Sequence, residues 1–185
     1  VEFALAKSIN KIPYDQESVA IWDDAVQNVR NSFNEKWIDI NLGVWMYDYF
    51  KHDRVYVIDA NGQQLYAMAD GRQATPGTQN LSAYVAHLVS DLRKSIASGA
   101  LDSYETSSIR TPRVVDLGFE EDRPAIVSVM PLISDTGDIK QDRGTESAIV
   151  SVRFLDSSFL PDLGDQYLLK GVRFSRSSNV ASNEQ

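Results

Sequence analysis

The stretch RVYVIDANGQQLYAM at residues 54–68 decides the fold of this chain. Residues 54–59 and 63–68 are two runs rich in β-branched and aromatic side chains, and Asn61 and Gly62 stand between them. Asn and Gly both tolerate the positive φ that a tight hairpin turn requires. The stretch therefore predicts an antiparallel β-hairpin.

The chain before the hairpin is predicted to be helical. Residues 1–12 are predicted to form a short helix, or the tail of a longer one, that stops before Pro13, because the residue before a proline disfavours the helical conformation. A longer helix is predicted over residues 15–33, and a further helical piece over residues 35–41 ends at Gly43. The apolar stripe of the longer helix consists of Val19, Trp22, Val26, Val29 and Phe33.

After the hairpin, residues 70–80 are rich in Gly, Pro, Thr and Asn and predict a loop. A mid-chain helix follows over residues 81–98, and Gly99 ends it in the position that glycine favours. The apolar side of this helix consists of Leu81, Val85, Leu88, Leu92 and Ile96.

The second half of the chain is predicted to be mostly strands. The charged run at residues 120–123 predicts a solvated turn, and the polar residues 134–146 predict a long exposed loop. The predicted elements are strands at 114–119, 125–133, 147–155 and 167–174, and a short helix at 157–164.

Helices followed by mostly antiparallel strands describe an α+β domain. We expect a PAS-like, five- to six-stranded sheet flanked by a long N-terminal helix and a mid-chain helix, with a pocket under the mid-chain helix and its loops. The chain has 185 residues, which suits one domain. We place this domain at residues 1–174 and expect residues 175–185 to be a polar tail.

Composition excludes several classes of protein. The net charge of -8 argues against a nucleic-acid binder, because phosphate contacts need clustered Lys and Arg. No apolar run reaches the length that crosses a bilayer, and no signal peptide is recognisable, so we expect the chain as given to be soluble. The absence of cysteine excludes disulfides, zinc-thiolate sites and thiol nucleophiles.

No catalytic or metal-binding motif is recognisable, and we expect no cofactor. The two histidines stand apart: His52 is predicted in a surface turn and His87 as a partly buried packing residue of the mid-chain helix. The segment from Asp59 to Gly62 resembles the start of a calcium loop, but no acidic ligands follow at the required spacing. Its turn chemistry favours the hairpin.

A cluster of aromatic residues between positions 22 and 66 is the best candidate for a ligand site. It holds all three tryptophans of the chain and several tyrosines, with Asp and Asn side chains between them. Small-molecule pockets combine aromatic walls with a few polar tips. The rings either line such a pocket or fill the gap between helices and sheet, and Asn41 either binds a ligand or caps a helix end. The candidate ligand-binding residues are Trp22, Asp23, Asn41, Trp45 and Tyr66.

The sequence resembles the fourth class of CHASE domain, a Cache- or PAS-like extracytoplasmic sensory module of bacterial and archaeal signalling proteins. The likeness spans residues 15 to 174. The matching motifs are WDDAV at 22–26, Trp37 followed by NLG at 41–43, the hairpin from Val55 with Gly62 and Tyr66, residues 124–131 and 148–156, and residues 159–160 and 167–169.

The resemblance implies a sensor without catalysis of its own. It implies a periplasmic location between two membrane helices that anchor the parent protein, and an output domain that is a diguanylate cyclase, a cyclic di-GMP phosphodiesterase or a histidine kinase. It also implies further strands after the last match, so we expect this chain to stop short of the complete domain. A homodimer through the N-terminal helix is a further expectation, unless the stripe from Val19 to Phe33 is used within one subunit.

Three functions follow as alternatives. The first is a sensor of a small molecule, for which amino acids, organic acids, polyamines and dissolved gases all remain possible ligands. The second is a protein-interaction module that reads a periplasmic partner and exposes an apolar patch in place of a pocket. The third is an enzyme, for which the adjacent carboxylates Asp23 and Asp24 are the best available pair.

Overall fold

Six strands form one open antiparallel sheet in the order β3-β2-β1-β6-β5-β4. The computed structural model describes residues 2–75, 77–99, 111–155, 159–161 and 164. The α+β class and the PAS/Cache-like arrangement are confirmed. The strands are β1 (Arg54–Ile58), β2 (Gln64–Ala69), β3 (Arg72–Gln73), β4 (Val114–Glu120), β5 (Arg123–Pro131) and β6 (Ala148–Phe154).

Five of the described helices lie before the hairpin and between β3 and β4. Two of the short helices continue directly into π-helical turns, at Gln27–Asn31 and Asp39–Val44. Within the described residues, no helix combines the length and the apolar character that crossing a membrane requires. The helices are α1 (Glu2–Ala20), α2 (Asp23–Val26), α3 (Glu35–Ile38), α4 (Trp45–Phe50) and α5 (Ala83–Ala97).

The predicted hairpin is confirmed, although its turn differs from the tight form. The connection runs from Asp59 to Gln63. The carboxylate Oδ1 of Asp59 accepts hydrogen bonds from the backbone N–H groups of Asn61 and Gln63. Gly62 has a positive φ of 88°, whereas Asn61 does not need one. The aspartate side chain therefore organises a longer turn than an Asn-Gly pair alone would form.

Pro13 does not stop the first helix, which was predicted to end at residue 12. It lies inside α1, which runs unbroken to Ala20. A proline inside a helix costs one backbone hydrogen bond but keeps a helical φ. Pro13 and its neighbours Ile12 and Gln16 are buried against the sheet, and this burial outweighs the lost bond.

The prediction of a single helix over residues 15–33 is wrong, because the helix is interrupted at Ile21 and Trp22. Ile21 forms an isolated parallel bridge with Ile133, and Trp22 is extended, with φ -162° and ψ 125°. The N–H of Trp22 donates to the carbonyl of Ile133 at 3.0 Å. This pairing gives the backbone an alternative to the helix, and Phe33 at the end of the predicted stripe is exposed.

Gly43 does not end the following helix. The backbone stays helical from Glu35 through the π-helical turn to Phe50, and it ends where Lys51 adopts a left-handed φ of 62°. Gly43 is instead buried where Tyr66 of β2 crosses the turn. The glycine serves a close approach between two elements, and a sequence pattern does not distinguish this use from a helix end.

The sheet separates two hydrophobic cores. One face packs against α1 and the helical segment of residues 23–50, with Val55, Val57 and Met68 at its centre. The other face packs against α5, with Tyr56, Val150 and Phe154 among its buried side chains. Alternate residues of β1 therefore serve opposite cores, as the period of a strand requires.

The later predictions agree closely with the structure. The mid-chain helix is α5, capped by Ser82, whose hydroxyl accepts from the N–H of Val85 at 3.1 Å, and Gly99 has a positive φ. The predicted loop at residues 70–80 contains the short strand β3, which was not predicted. Residues 159–161 and 164 are helical, as predicted, whereas the predicted strand at 167–174 and the tail at 175–185 lie outside the described residues.

The turn between β4 and β5 is only partly the solvated turn that was predicted. Glu121 and Asp122 both have positive φ, and they form a two-residue hairpin turn in which Glu120 pairs with Arg123. Glu120 is only 2% exposed, however, and the guanidinium of Arg123 lies 3.6 Å from the ring centroid of Phe154. The flanks of this turn therefore belong to the interior.

Both histidine predictions are wrong. His52 is not in a surface turn but is 1% exposed, because it lies between α4 and β1 against Asp15 of α1. His87 has 67% of its side chain exposed and lies 3.3 Å from the carboxylate of Asp91, one turn along α5. The junction before β1 is covered by α1, and no local sequence signal reveals this tertiary contact.

Candidate ligand-binding site

A cleft opens along the outer edge of β2. Strand β3 pairs only with Met68 and Ala69, so the edge of β2 before them faces the loop that follows β3. The cleft has a volume of about 200 Å³. It is lined by residues 64–67 of β2, by Glu35 of α3, and by residues 73–75, 77, 79 and 80.

A β-bulge at Leu65 shapes this edge. Val57 of β1 pairs with Tyr66, but the next residue, Ile58, pairs with Gln64, so Leu65 is an extra residue in β2. Paired residues share a face of the sheet. Gln64 therefore projects on the α5 side, and Tyr66 projects on the α1 side.

Gln64 presents an unused hydrogen-bond acceptor. Its amide nitrogen donates to the backbone carbonyl of Gln79 at 2.8 Å, which ties β2 to the loop. Its Oε1 atom is buried and has no hydrogen-bond partner within the described part of the chain. Buried polar atoms are normally satisfied, so this oxygen is a position where a bound molecule would be accepted.

The other side-chain amides of the cleft donate to protein acceptors. Gln73 donates to Glu35 Oε1 at 2.7 Å, and Asn80 donates to the carbonyl of Gly77 at 3.3 Å. The amide nitrogen of Gln79 donates to the hydroxyl of Tyr56 and to a carboxylate oxygen of Glu121. Each of these amides therefore has a protein partner for at least one N–H, whereas Gln64 Oε1 has no partner within the described residues.

Tyr66 connects the cleft to the π-helical turn. Its hydroxyl donates to Asp39 Oδ1 at 2.7 Å. Burial, followed by the bond to Asp39, raises the pKa of Tyr66, so its phenol stays protonated. A Cβ atom at Gly43 would lie 2.0 Å from the tyrosine hydroxyl, so only glycine permits this arrangement.

A charged cluster lies beside the cleft. The guanidinium of Arg54 binds Glu121 through Nε at 2.7 Å and Nη2 at 3.0 Å, and its Nη1 lies 2.8 Å from Asp70. The bond from Arg54 lowers the pKa of Glu121, the group that Gln79 also binds. These bonds join β1, the turn after β2 and the turn before β5 to the loop that covers the cleft.

Glu120 stands next to this cluster but is buried. Its Oε2 accepts a hydrogen bond from the hydroxyl of Ser82, which also caps α5. Burial raises the pKa of Glu120, and the neighbouring Glu121 adds to the rise. Among the residues that the structure describes, no three His, Asp or Glu side chains converge to hold a metal ion.

The family model of the CHASE4 domain matches residues 4–175.

The chain belongs to the CHASE4 domain family. CHASE4 domains are sensory, not catalytic, domains of signalling proteins, and CHASE domains are extracellular. The resemblance seen in the sequence is thereby confirmed, and this segment is assigned a sensory role. The comparison with curated proteins found no match.

The CHASE4 domain places Trp22 and Asp23 away from the cleft. The ring of Trp22 packs on Trp37, with centroids 5.0 Å apart, at the core on the α1 side. The carboxylate of Asp23 accepts from Thr136, and its N–H donates to Asp135 at 2.9 Å. Hydroxyl hydrogen bonds lower the pKa of Asp23, so it serves as an ionised acceptor for the 134–136 loop.

Asn41 and Trp45 lie on the helical segment that follows. Asn41 donates its amide to the backbone carbonyl of Trp37 at 2.9 Å, one helical turn earlier. This partner is backbone, but Asn41 caps no helix end, because the backbone stays helical to Phe50. Trp45 is 40% exposed and stacks on Tyr49, with centroids 4.0 Å apart.

Of the five candidate residues, Tyr66 is the one that lines the cleft. Ligand binding by Trp22, Asp23, Asn41 and Trp45 stays a prediction. Sequence reasoning did not select Gln64, Gln79 or Glu35. The signals for them were weak: a polar residue inside a strand, and a Gly- and Pro-rich loop directly before the mid-chain helix.

Proposed function

We propose that this CHASE4 domain is the periplasmic signal-sensing segment of a membrane-anchored receptor and that it binds a small molecule in the cleft beside β2. The observation that carries the proposal is the cleft of about 200 Å³ with the buried, unpartnered Oε1 of Gln64. The sensory role of the family supports it.

The proposal extends to the parent protein. The sensor domain spans residues 1–174, is followed by the polar tail at 175–185, and is held in the membrane by flanking helices outside this sequence. The output domain is a diguanylate cyclase or cyclic di-GMP phosphodiesterase, or else a histidine kinase. Here the support comes from the family resemblance alone.

A chain of contacts supports a route from the cleft to α1. Tyr66 binds Asp39 at the start of the π-helical turn, and this turn continues into α4, which packs on α1. At the end of α4, His52 lies 3.9 Å from Asp15 of α1. A ligand that favours one packing of this segment would shift α1 relative to the sheet, provided that its affinity differs between the two states.

A thermal-shift screen of the chain tests ligand binding. A molecule present at a hundred times its Kd stabilises the folded state by about 2.7 kcal/mol, which raises Tm by several degrees. Any hit is repeated on Gln64→Leu and, as a matched control, on Gln63→Leu, whose glutamine is exposed in the turn next to β2. A response that Gln64→Leu abolishes and Gln63→Leu retains is expected; no response from any small molecule would contradict the proposal.

A second candidate is a protein-interaction module that reads a periplasmic partner. The observation that favours it is the exposed stack of Trp45 and Tyr49, together with Ile40, which is 53% exposed on the same helical segment. Exposed aromatic side chains are common anchors of interfaces. If this candidate is correct, Trp45→Ala abolishes the output of the full-length receptor in cells, whereas Gln64→Leu leaves that output unchanged.

Homodimer formation is a related proposal. The stripe residues Val19, Val26 and Val29 are buried in the core of one chain, so they are not free to pair with a second copy. Trp45 and Tyr49 are the exposed alternative. Sedimentation equilibrium of the wild type and of Trp45→Ala tests this, with a dimer lost in the variant as the expected result.

A further inference from the structure

The polar atoms that line the cleft differ in whether they already have a hydrogen-bond partner. Each side-chain amide of the lining already donates its nitrogen to a protein acceptor, whereas Gln64 Oε1 is buried and accepts nothing within the described residues. A molecule that brings an N–H or O–H donor would satisfy this oxygen, whereas a molecule that brings only acceptors would leave it unpaired.

The charge of the lining also favours a ligand that donates hydrogen bonds. Glu35 is the one charged side chain among the lining residues, and its Oε1 holds Gln73 at 2.7 Å. A second carboxylate, Asp39, lies behind Tyr66 and accepts a hydrogen bond from its hydroxyl, so the hydroxyl of Tyr66 already has an acceptor. A carboxylate or phosphate ligand would meet no cation in the lining and would lie close to these two anions.

The size of the cleft restricts the ligand further. Sites for drug-sized molecules commonly enclose about 300–1,000 Å³. The cleft of about 200 Å³ is smaller, so it suits a molecule of only a few heavy atoms.

We propose that the ligand of this cleft is a compact organic amine or guanidinium, held by an ion pair with Glu35 and by donation to Gln64 Oε1. This inference rests on the proposed function, because it names the ligand class of the same site. Glu35 is exposed at the rim, and Gln64 is half-buried inside, so the two acceptors suit a cation whose charged end lies toward solvent.

Isothermal titration with matched probes tests the ligand class. The amines are putrescine, ethanolamine and methylguanidine; the acids are succinate and glycolate; the neutral probe is 1,4-butanediol. We expect at least one amine to bind the wild type, and the acids and the diol not to bind. Glu35→Gln should weaken binding of the amine by about tenfold or more, because it removes a charge-assisted hydrogen bond.

Two further variants make the result specific. Asp48→Asn removes an exposed carboxylate on α4 outside the lining and should leave amine affinity unchanged. Gln64→Leu should weaken binding of the amine, and the circular dichroism spectrum of the variant should match that of the wild type. An amine that binds Glu35→Gln and Gln64→Leu as tightly as the wild type would overturn the inference.

The remaining outcomes separate this inference from the proposed function. If an acid or the diol binds, and Gln64→Leu abolishes that binding, the sensor proposal stands and the amine class is wrong. If no small molecule of any class binds, the proposed function itself fails, and the inference fails with it.

Discussion

Gln16 of α1 and Ser128 of β5 form a buried side-chain hydrogen bond between the helix and the sheet. The hydroxyl of Ser128 donates to Gln16 Oε1 at 2.7 Å, and Gln16 Nε2 donates to the carbonyl of Ile149 in the neighbouring strand at 2.8 Å. Gln16 is completely buried. A helix held only by apolar contacts could slide on the sheet, whereas this side chain fixes the position of α1 against β5 and β6.

Gln16→Leu is expected to destabilise the domain by about 1–3 kcal/mol, because Ser128 loses its buried acceptor. Urea unfolding measures the change. Asn10→Leu on an exposed position of the same helix is the control and should stay within about 0.5 kcal/mol of the wild type. The double variant Gln16→Leu, Ser128→Ala should recover part of the loss, because both polar partners are then removed together. A Gln16→Leu protein as stable as the wild type would show that the pair contributes nothing.

Gly43→Ala is expected to destabilise the domain although alanine is the better helix former by about 1 kcal/mol. The added Cβ would lie 2.0 Å from the hydroxyl of Tyr66 and 2.7 Å from its ring carbon Cζ. Overpacking of this kind typically costs about 1–3 kcal/mol, and it would also displace the bond between Tyr66 and Asp39. Thermal unfolding measures the change.

Tyr66→Phe tests the origin of that cost. The substitution removes the atom closest to the new Cβ, so Gly43→Ala should cost less in the Tyr66→Phe background than in the wild type. Equal costs in both backgrounds would mean that the tyrosine hydroxyl is not what requires glycine at this position.

Periodicity predicted the elements whose stability is local. Helix α5 has a serine cap, a regular apolar side and a terminal glycine, and β5 and β6 are continuous apolar runs. It failed where distant contacts decide the backbone. Ile133 lies more than a hundred residues from Ile21, yet its bridge breaks the predicted helix, and burial keeps Pro13 inside α1.

The site could be predicted only in outline. A pocket under the mid-chain helix and its loops was expected, whereas the cleft lies beside the loop that precedes α5 and no residue of α5 lines it. The aromatic cluster predicted Trp22 and Trp45 as ligand contacts. The partly buried ring of Trp22 packs against the core, and the ring of Trp45 stacks on Tyr49 at the surface. The acceptor at Gln64 arises from a bulge in β2, and a bulge leaves no periodic signal in the sequence.

Glu120→Gln is expected to stabilise the domain at pH 7. Burial raises the pKa of Glu120, so the folded state holds its proton more readily than the unfolded chain, and stability falls as pH rises through the interval between the two pKa values. Glutamine keeps an acceptor for Ser82 and carries no charge. The gain should be present at pH 7 and should shrink toward zero below about pH 3.5, where the wild-type carboxyl is mostly protonated in both states.

The neighbouring Glu121→Gln is the matched control with the opposite sign. The bond from Arg54 lowers the pKa of Glu121, so this carboxylate contributes stability at neutral pH that is lost as pH falls. Glu121→Gln should therefore destabilise the domain at pH 7. If both variants shift the urea midpoint in the same direction, burial does not determine how the charge of Glu120 affects stability.

His52 is expected to make the stability of the domain fall between pH 7 and pH 5. Burial lowers the pKa of His52, and neither ring nitrogen has a hydrogen-bond partner within the described residues. The unfolded chain therefore takes up the proton first, below a pKa of about 6.5. Stability is lost from there downward until the folded pKa is reached, with a slope of up to about 1.4 kcal/mol per pH unit for one proton.

Urea midpoints at pH 8, 7, 6 and 5 measure this slope in the wild type, in His52→Gln and in His87→Gln. His52→Gln should flatten the profile, whereas His87→Gln removes an exposed histidine and should leave it unchanged. Asp15, whose carboxylate lies 3.9 Å from His52 Nε2, attracts a protonated imidazole and opposes the effect of burial. If that attraction exceeds the cost of burying the charge, the wild type will gain stability as pH falls relative to His52→Gln, and the predicted sign is wrong.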